Sequence, residues 1–308
     1  MKRFLQAVLM VLGVLMVISI PFDYLFSNYL ITYSKAQKYV GWNDIIYDSI
    51  NADLVVLGSS RAWVQYDTYI IDSMLQTNSY NLGIDGSPLN RQMLKYKIYS
   101  HFQSKSPKVM IVNIDFWSVS RRTGYQRDQF FPYLLNRYTR NEFIKDEPFS
   151  IGELFLPMFR YYKQGVYSVY LESNIDHNLF KGYAGMDWEW DGSGFSRISS
   201  FHFNKDEAVA KEFDDFLKEL KNQKVRIVFV CAPLYFGITK IVDNLFEYYE
   251  TIQSYSDKYE IPILDYFNYY LSYDTTYFYN AMHLNKTGAE LFTIQLCHDL
   301  DSLGILLN

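Results

Sequence analysis

Two side chains far apart in the chain occupy the positions from which an α/β sheet can assemble a Ser-His site. Ser60 closes a Gly-Ser-Ser turn that follows an apolar, strand-like run. His283 lies in the stretch Asn280-Ala-Met-His-Leu-Asn, just before a predicted helix over 286–303. A hydroxyl at a strand-to-helix turn, within reach of an imidazole, is the arrangement that activates serine as a nucleophile. The pattern predicts acyl transfer, with Ser60 attacking a carbonyl and His283 accepting its proton.

The elements needed to position these residues alternate along the chain. Apolar runs alternate with amphipathic patterns, which is typical of parallel strands joined by crossover helices. The predicted strands are Asp53–Gly58, Ser79–Gly83, Lys108–Asp115, Val225–Cys231 and Pro262–Asp265. The predicted helices cover about 67–76, 88–103, 205–222, 240–258 and 286–303. This order predicts an α/β fold, a flavodoxin-like doubly wound parallel sheet of about five strands, with ligands at the carboxyl ends of the strands.

The alternation stops at about 118–204, which has no strong strand pattern. A stretch of this length inside a compact fold is rarely a plain linker, so we expect a cap insertion over the site. The predicted organisation is a signal-anchor helix at 1–26, a juxtamembrane segment at 27–50 and one catalytic-type domain at 51–308.

The N-terminus predicts a membrane anchor. Lys2 and Arg3 precede a 19-residue apolar run, Phe4–Phe22, which as a helix spans roughly 28 Å, close to the hydrocarbon thickness of a bilayer. No small-x-small cleavage site follows, so the segment is interpreted as a retained anchor. The positive-inside rule then predicts a single-pass protein of the cytoplasmic membrane, with its N-terminus inside and its domain extracytoplasmic.

Composition limits the partners. The formal net charge is -5 and the chain has no basic run, which argues against nucleic acid. Cys231 and Cys297 are the only cysteines, and their apolar contexts favour two buried free thiols, with a single bridge between them as the alternative in an exported domain. No metal-ligand spacing and no cofactor motif is present, so no metal and no cofactor is expected.

Three blocks of sequence together resemble the SGNH (GDSL-like) hydrolase superfamily. Gly58-Ser59-Ser60 stands where the superfamily has Gly-Asp-Ser, and Asn81 to Gly86 resembles its second block. Asn280-Ala-Met-His283-Leu-Asn stands where the last block reads Asp-x-x-His-Leu-Asn. The resemblance implies that Ser60 is the nucleophile, that His283 is the base, and that the backbone amides of Ser60 and Gly86 form the oxyanion hole.

Two positions depart from the superfamily pattern. In the third block, Phe116 stands about where an oxyanion-hole Asn is expected, while Asn113 precedes that position. In the last block, Asn280 replaces the carboxylate that normally fixes the histidine tautomer and stabilises the imidazolium. Asp274 is an alternative orienting carboxylate; a backbone carbonyl is another means, and a nearly inactive site is the remaining alternative.

Two charged residues near these blocks are candidate substrate contacts. Arg61 follows the nucleophile and is suited to hold an anionic group, although pairing with a carboxylate is an equal alternative. Asp115 ends the third strand, where it would orient substrate or simply bind loop amides.

More narrowly, the chain resembles the membrane-anchored branch of the superfamily that acts on cell-envelope polymers, of the alginate O-acetylation and teichoic-acid D-alanyl-transfer type. That resemblance implies an O-acyl esterase or acyltransferase whose substrate is an envelope glycan or acyl ester, working beside a membrane-bound O-acyltransferase. The alternative is a catalytically inactive scaffold or glycan-binding component that kept the fold.

Overall fold

The computed structural model describes residues 1–119, 126–193 and 200–305. These residues divide into two compact units, one made of the described residues of 1–43 with 123–177 and the other of those of 44–122 with 178–308. The insertion predicted as one cap is therefore divided near residue 177. Its first part clusters with the N-terminal helix, and its second part belongs to the unit that contains the sheet.

The second unit is built on five parallel strands in the order β2-β1-β3-β4-β5. Their bounds are β1 Leu54–Leu57, β2 Ser79–Asn81, β3 Val109–Asn113, β4 Arg226–Cys231 and β5 Ile263–Asp265. An antiparallel hairpin follows, formed by β6 Phe278–Asn280 and β7 His283–Leu284. The predicted α/β doubly wound sheet is confirmed, and each strand lies inside its predicted range.

The described residues form thirteen α-helices, with short 3₁₀ segments between some of them. The helices are α1 Lys2–Tyr33, α2 Gln37–Tyr47, α3 Ser60–Gln65, α4 Thr68–Leu75, α5 Leu89–Phe102, α6 Arg137–Asp146, α7 Ile151–Phe155, α8 Phe159–Tyr162, α9 Val166–Ser173, α10 Glu207–Asn222, α11 Phe236–Lys240, α12 Leu245–Tyr259 and α13 Lys286–Ser302. The 3₁₀ segments are Arg127–Leu135, Tyr270–Tyr273 and Thr275–Tyr277.

The central strands are buried on both faces. Every residue of β1 and β3 is buried, as expected for a parallel sheet with helices on both sides. One face of α10 buries Val209, Phe213 and Leu217, while its other face is charged and exposed. This amphipathic period explains why the helix could be predicted from sequence.

Helix α1 has the features expected of a membrane anchor. It is 32 residues long, and its most apolar 18-residue window is wholly unburied by the rest of the protein. Among the described residues it is the one helix long and apolar enough to cross a membrane. It continues past the predicted end at residue 26 to Tyr33.

Candidate active site

The predicted nucleophile turn, Gly58-Ser59-Ser60, connects β1 to α3 at the carboxyl edge of the sheet. Ser59 is the N-cap of α3, and its hydroxyl accepts a hydrogen bond from the Arg61 amide at 3.4 Å. A Cβ at Gly58 would lie 2.5 Å from the Ala62 Cβ and 2.9 Å from the Asn113 Cβ. Only glycine fits this approach of strand and helix, which leaves the next hydroxyl, Ser60, at the start of α3.

Ser60 and His283 meet although 223 positions separate them in the chain. The Ser60 Oγ lies 2.8 Å from the His283 Nε2. On the histidine side, α13 is tied to α3 because the Thr293 hydroxyl donates to the Gln65 carbonyl at 3.1 Å. This is hydrogen-bond reach for a general base and the proton that it must accept.

Asn280 orients the imidazole. Its Oδ1 accepts from the backbone N–H groups of Met282 at 2.9 Å and His283 at 3.0 Å. The same oxygen lies 2.9 Å from the His283 Nδ1. A backbone N–H is a donor, and in a side-chain amide only the oxygen accepts, so these two contacts decide which way round the Asn280 amide stands.

This arrangement sets the tautomer of His283 without a carboxylate. Because the Asn280 oxygen can only accept, the His283 Nδ1 carries the hydrogen. The Nε2 of the neutral ring is then unprotonated and accepts from the Ser60 hydroxyl. Tyr279 stacks on the imidazole with ring centroids 5.3 Å apart and an angle of 3° between the planes, which further limits ring rotation.

The surroundings keep His283 neutral. Burial, followed by the positive charge of Arg61, lowers the pKa of His283 from 6.5 to about 3. The resting imidazole is therefore free to accept a proton. An imidazolium at this position would have no carboxylate beside it, since Asn280 is neutral, and would be stabilised less than in an Asp-containing triad.

Asp274 does not orient the histidine, which corrects one of the sequence alternatives. Its carboxylate is exposed and accepts from the backbone N–H of Thr276 at 2.9 Å and from the hydroxyl of that residue at 2.8 Å. These local bonds cap a 3₁₀ turn and lower the pKa of Asp274. The Nδ1 of His283 is bound to Asn280 instead.

Arg61 and Asp115 are not placed to contact substrate, which corrects a second expectation. Both side chains are completely buried and pair with each other. Arg61 also donates to the carbonyl oxygens of Ala232 and, at 3.0 Å, Pro233. Asp115 accepts from the Ser59 hydroxyl at 2.6 Å. The pair therefore connects the nucleophile turn to the ends of β3 and β4.

Asn113 takes part in the same buried network and does not face the site. Its Nδ2 donates to Asp115 at 2.9 Å, and its Oδ1 accepts from the Tyr66 hydroxyl at 2.7 Å. Phe116, which stands in the place of the expected oxyanion-hole Asn, packs its ring edge-on against Tyr248. The third block thus contributes structure and an apolar surface.

A pocket of about 400 Å³ opens beside the Ser60–His283 pair. Gly86 lines it together with Ser60 and His283. The loop that carries Gly86 is held next to the nucleophile turn, because the Ile84 amide donates to the Gly58 carbonyl at 3.1 Å. The Gly86 backbone has φ of 59°, a conformation that favours glycine. The amides of Ser60 and Gly86 remain the predicted oxyanion donors.

Sequence reasoning missed most of the pocket wall. Among the described residues this wall is formed by seven apolar side chains: Phe116, Trp117, Phe201, Ile238, Ile241, Val242 and Met282. Tyr279 was missed as well. In sequence it lies in a Tyr-rich stretch that does not distinguish it from its neighbours. Only the hairpin of β6 and β7 shows that its ring lies against His283.

Comparisons with known proteins give weak structural likenesses. The chain matches no protein-family model, and no curated protein is significantly similar to it in sequence. A GDSL-like lipase from Bacteroides thetaiotaomicron is 10% identical with a TM-score of 0.37, over 80% of this chain and 87% of that one. A protein from Bacteroides fragilis, provisionally described as an acylhydrolase, is 11% identical with a TM-score of 0.39, over 80% and 86%.

A provisionally assigned lipolytic protein of the G-D-S-L family from Desulfitobacterium hafniense is similar to the same degree. It is 11% identical with a TM-score of 0.39, over 80% of this chain and 97% of that one. At these identities and TM-scores the likenesses say nothing about chemistry. What the site can do follows from its own side chains.

Proposed function

We propose that this protein is a membrane-anchored, extracytoplasmic O-acyl esterase or acyltransferase that acts on a cell-envelope glycan through Ser60 and His283. One observation carries the proposal. The Ser60 Oγ, the His283 imidazole and the Asn280 Oδ1 form a continuous hydrogen-bonded series, with distances of 2.8 and 2.9 Å. The series lies beside a pocket at the carboxyl edge of a parallel sheet.

The series supports nucleophilic catalysis. The Nε2 of His283 takes the Ser60 proton as Oγ bonds to the ester carbonyl carbon, and the carbonyl oxygen becomes the oxyanion. The amides of Ser60 and Gly86 stabilise that charge. Collapse of the tetrahedral intermediate releases the alcohol, which receives the proton from His283 and leaves an acyl-Ser60 ester. Water or a sugar hydroxyl then attacks this ester, giving hydrolysis or transfer.

The envelope assignment has separate support. Helix α1 is long and apolar enough to cross a membrane, and Lys2 and Arg3 precede it. The sequence resembles the anchored branch of the superfamily that modifies envelope polymers beside a membrane-bound O-acyltransferase. A domain outside the cytoplasm would meet acylated glycans of the envelope directly.

The test is labelling and turnover by the full-length protein in lipid nanodiscs. We expect a fluorophosphonate probe to label the wild type but not Ser60→Ala. We also expect Ser60→Ala and His283→Ala each to lower hydrolysis of p-nitrophenyl acetate by on the order of a thousandfold or more. Labelling on Ser60 establishes the nucleophile independently of the acyl acceptor.

Matched controls separate chemistry from folding. Ser272 is buried outside the pocket, and His298 is exposed on α13. Ser272→Ala and His298→Ala should keep labelling and turnover close to wild type. An unlabelled, correctly folded wild type, or turnover that survives Ser60→Ala, would reject the enzyme and favour an inactive scaffold.

A further inference from the structure

The pocket beside Ser60 is apolar on every described side except the one that bears the catalytic groups. Apart from Ser60, Gly86 and His283, its described lining consists of aliphatic and aromatic side chains and carries no charge. Phe116 and Ile238 are almost completely buried behind its surface. Such a lining recognises shape and apolar area.

One wall of the pocket is fixed by backbone hydrogen bonds. The Phe201 amide donates to the Ile241 carbonyl at 2.7 Å, and the Asp243 amide donates to the Phe201 carbonyl at 3.0 Å. The Asn244 side chain accepts from the Phe203 amide at 2.7 Å and donates to the Phe203 carbonyl at 2.9 Å. This wall is held in place by bonds that do not involve the Phe201 ring.

We propose that this pocket binds the acyl chain of the ester, and that the preferred acyl group is uncharged and longer than acetyl. The inference rests on the proposed Ser60–His283 chemistry and adds the substrate class. An acyl carbonyl carbon bonded to Ser60 directs its chain into the space that Ser60 itself lines. That space is apolar.

The lining disfavours the alternative occupants. An aminoacyl group carries an ammonium, which would lose its hydration without meeting a carboxylate in the described lining. A sugar ring would leave several hydroxyls without partners against this surface. A neutral hydrocarbon chain loses nothing of that kind and gains from every methylene that it buries.

The size of the pocket indicates how long the chain is. A methyl or methylene group takes up about as much space as one water in the liquid, roughly 30 Å³. The acetyl methyl would thus leave most of the 400 Å³ unfilled. Chains of roughly four to eight carbons take up about 120–240 Å³ at this size and therefore fit within the pocket. They bury more of its apolar surface than acetyl does, and each buried methylene should raise kcat/KM about three- to fourfold.

The experiment measures kcat/KM for p-nitrophenyl esters from acetate to decanoate, with full-length protein in lipid nanodiscs. The Ser60→Ala rate is subtracted for each ester. We expect kcat/KM to rise from acetate to a maximum within the hexanoate-to-octanoate range. The hexanoate-to-acetate ratio should be at least on the order of tenfold, from four buried methylenes at partial efficiency.

Two substitutions in the pocket wall should change the preferred chain length in opposite directions. Ile241→Trp narrows the pocket and should lower the octanoate-to-acetate ratio at least fivefold. Phe201→Ala removes a ring but keeps the backbone bonds of the wall, so it should move the optimum to longer chains. Ile70, half-buried and packed against the core outside the pocket, provides the control Ile70→Trp, which should leave the ratio unchanged.

The outcomes separate this inference from the function on which it rests. If acetate is hydrolysed in a Ser60-dependent way and longer esters are slower, the acyl-chain assignment is overturned and the esterase stands. An octanoate-to-acetate ratio that falls equally in Ile70→Trp and Ile241→Trp also overturns the acyl-chain assignment. If no ester is turned over faster than by Ser60→Ala, both proposals fall.

Discussion

The two segments that carry Ser60 and His283 are held by opposite kinds of interaction. The turn that carries Ser60 is fastened by a fully buried ion pair, Arg61 with Asp115. The hairpin that carries His283 is fastened by a neutral amide, whose oxygen accepts three N–H groups. Full charges therefore hold the turn that carries Ser60, and partial charges hold the hairpin that carries His283.

This difference contributes to the protonation state of the site. Burial is the main cause of the low pKa of His283, and the cation of the buried pair lowers that pKa further. The neutral Asn280 does nothing to raise that pKa again, although it fixes the tautomer. The comparison shows that positioning of an imidazole and stabilisation of its charged form are separable tasks, which a carboxylate would perform together.

The largest effect is expected when the carboxylate of the buried ion pair, Asp115, is removed. Asp115→Asn leaves the buried Arg61 cation without its counter-charge, so we expect the free energy of unfolding to fall by about 3–5 kcal/mol. The folded fraction should also lose turnover, because Ser59 and Arg61 flank the nucleophile. Chemical unfolding, with kcat/KM corrected for folded protein, measures both effects.

A surface pair and a double substitution serve as controls for this change. Lys258 and Asp214 pair at 2.5 Å on the surface, so Asp214→Asn should cost no more than about 1 kcal/mol. Replacing both members of the buried pair, Arg61→Met with Asp115→Leu, should be less destabilising than Asp115→Asn alone. Equal losses in Asp115→Asn and Asp214→Asn would mean that the buried pair does not hold the turn.

A smaller effect is expected where a charge is added on the base side. Asn280→Asp keeps an acceptor for all three N–H groups and places a negative charge beside the imidazolium. Since the tautomer is already correct, only charge stabilisation is gained, and kcat should rise on the order of tenfold to a hundredfold. Ester hydrolysis under saturating substrate measures it.

Asn285→Asp is the matched control for Asn280→Asp. Asn285 caps α13 through its Oδ1 and makes no contact with the imidazole among the described hydrogen bonds. The Asn285→Asp substitution adds the same charge near the site. It should leave kcat within about twofold of the wild-type value, the size expected of an indirect surface effect. A thousandfold gain from Asn280→Asp would instead show that the wild-type tautomer is wrong.

The smallest expected effect is the response of the wild type to mild acid. A histidine base with pKa 6.5 would lose roughly thirtyfold in kcat/KM at pH 5, whereas His283 has its pKa lowered to about 3. Because the neutral ring persists as pH falls from 7 to 5, kcat/KM should stay nearly constant. A pH profile of wild type and Asn280→Asp tests this. In the variant the added carboxylate raises the pKa of His283, so the loss of kcat/KM in acid should begin at a higher pH. A wild-type limb near pH 6.5 would contradict the assigned environment.

Much of the scaffold was predictable because its signals are local. The β3 strand, predicted at Lys108–Asp115, forms at Val109–Asn113, and the helix predicted over 205–222 forms at Glu207–Asn222. Apolar runs and a 3.6-residue period depend only on neighbours in sequence. The pairing of Ser60 with His283 was also predicted, because Ser60 follows the first strand, His283 precedes the last helix, and both stand in blocks that resemble those of a Ser-His hydrolase superfamily.

The directions of side chains were not predictable, because they depend on what packs around them. Arg61 and Asp115 were candidate substrate contacts by sequence, but the fold turns both inward, where each is the other's partner. The pocket wall could not be assigned either, since Phe201 and Ile241 meet only through a backbone pairing across 40 residues of chain.

The sequence by itself determined the alternation of strands and helices and the apolar N-terminal helix, because composition and period depend only on neighbours in sequence. The resemblance of three blocks of sequence to a hydrolase superfamily pointed to Ser60, His283 and Asn280. Tertiary structure decided that Asn280 presents its oxygen to His283, because only the folded hairpin brings two backbone N–H groups to that oxygen. It also decided that the space beside Ser60 is apolar, because distant segments had to pack together to form it.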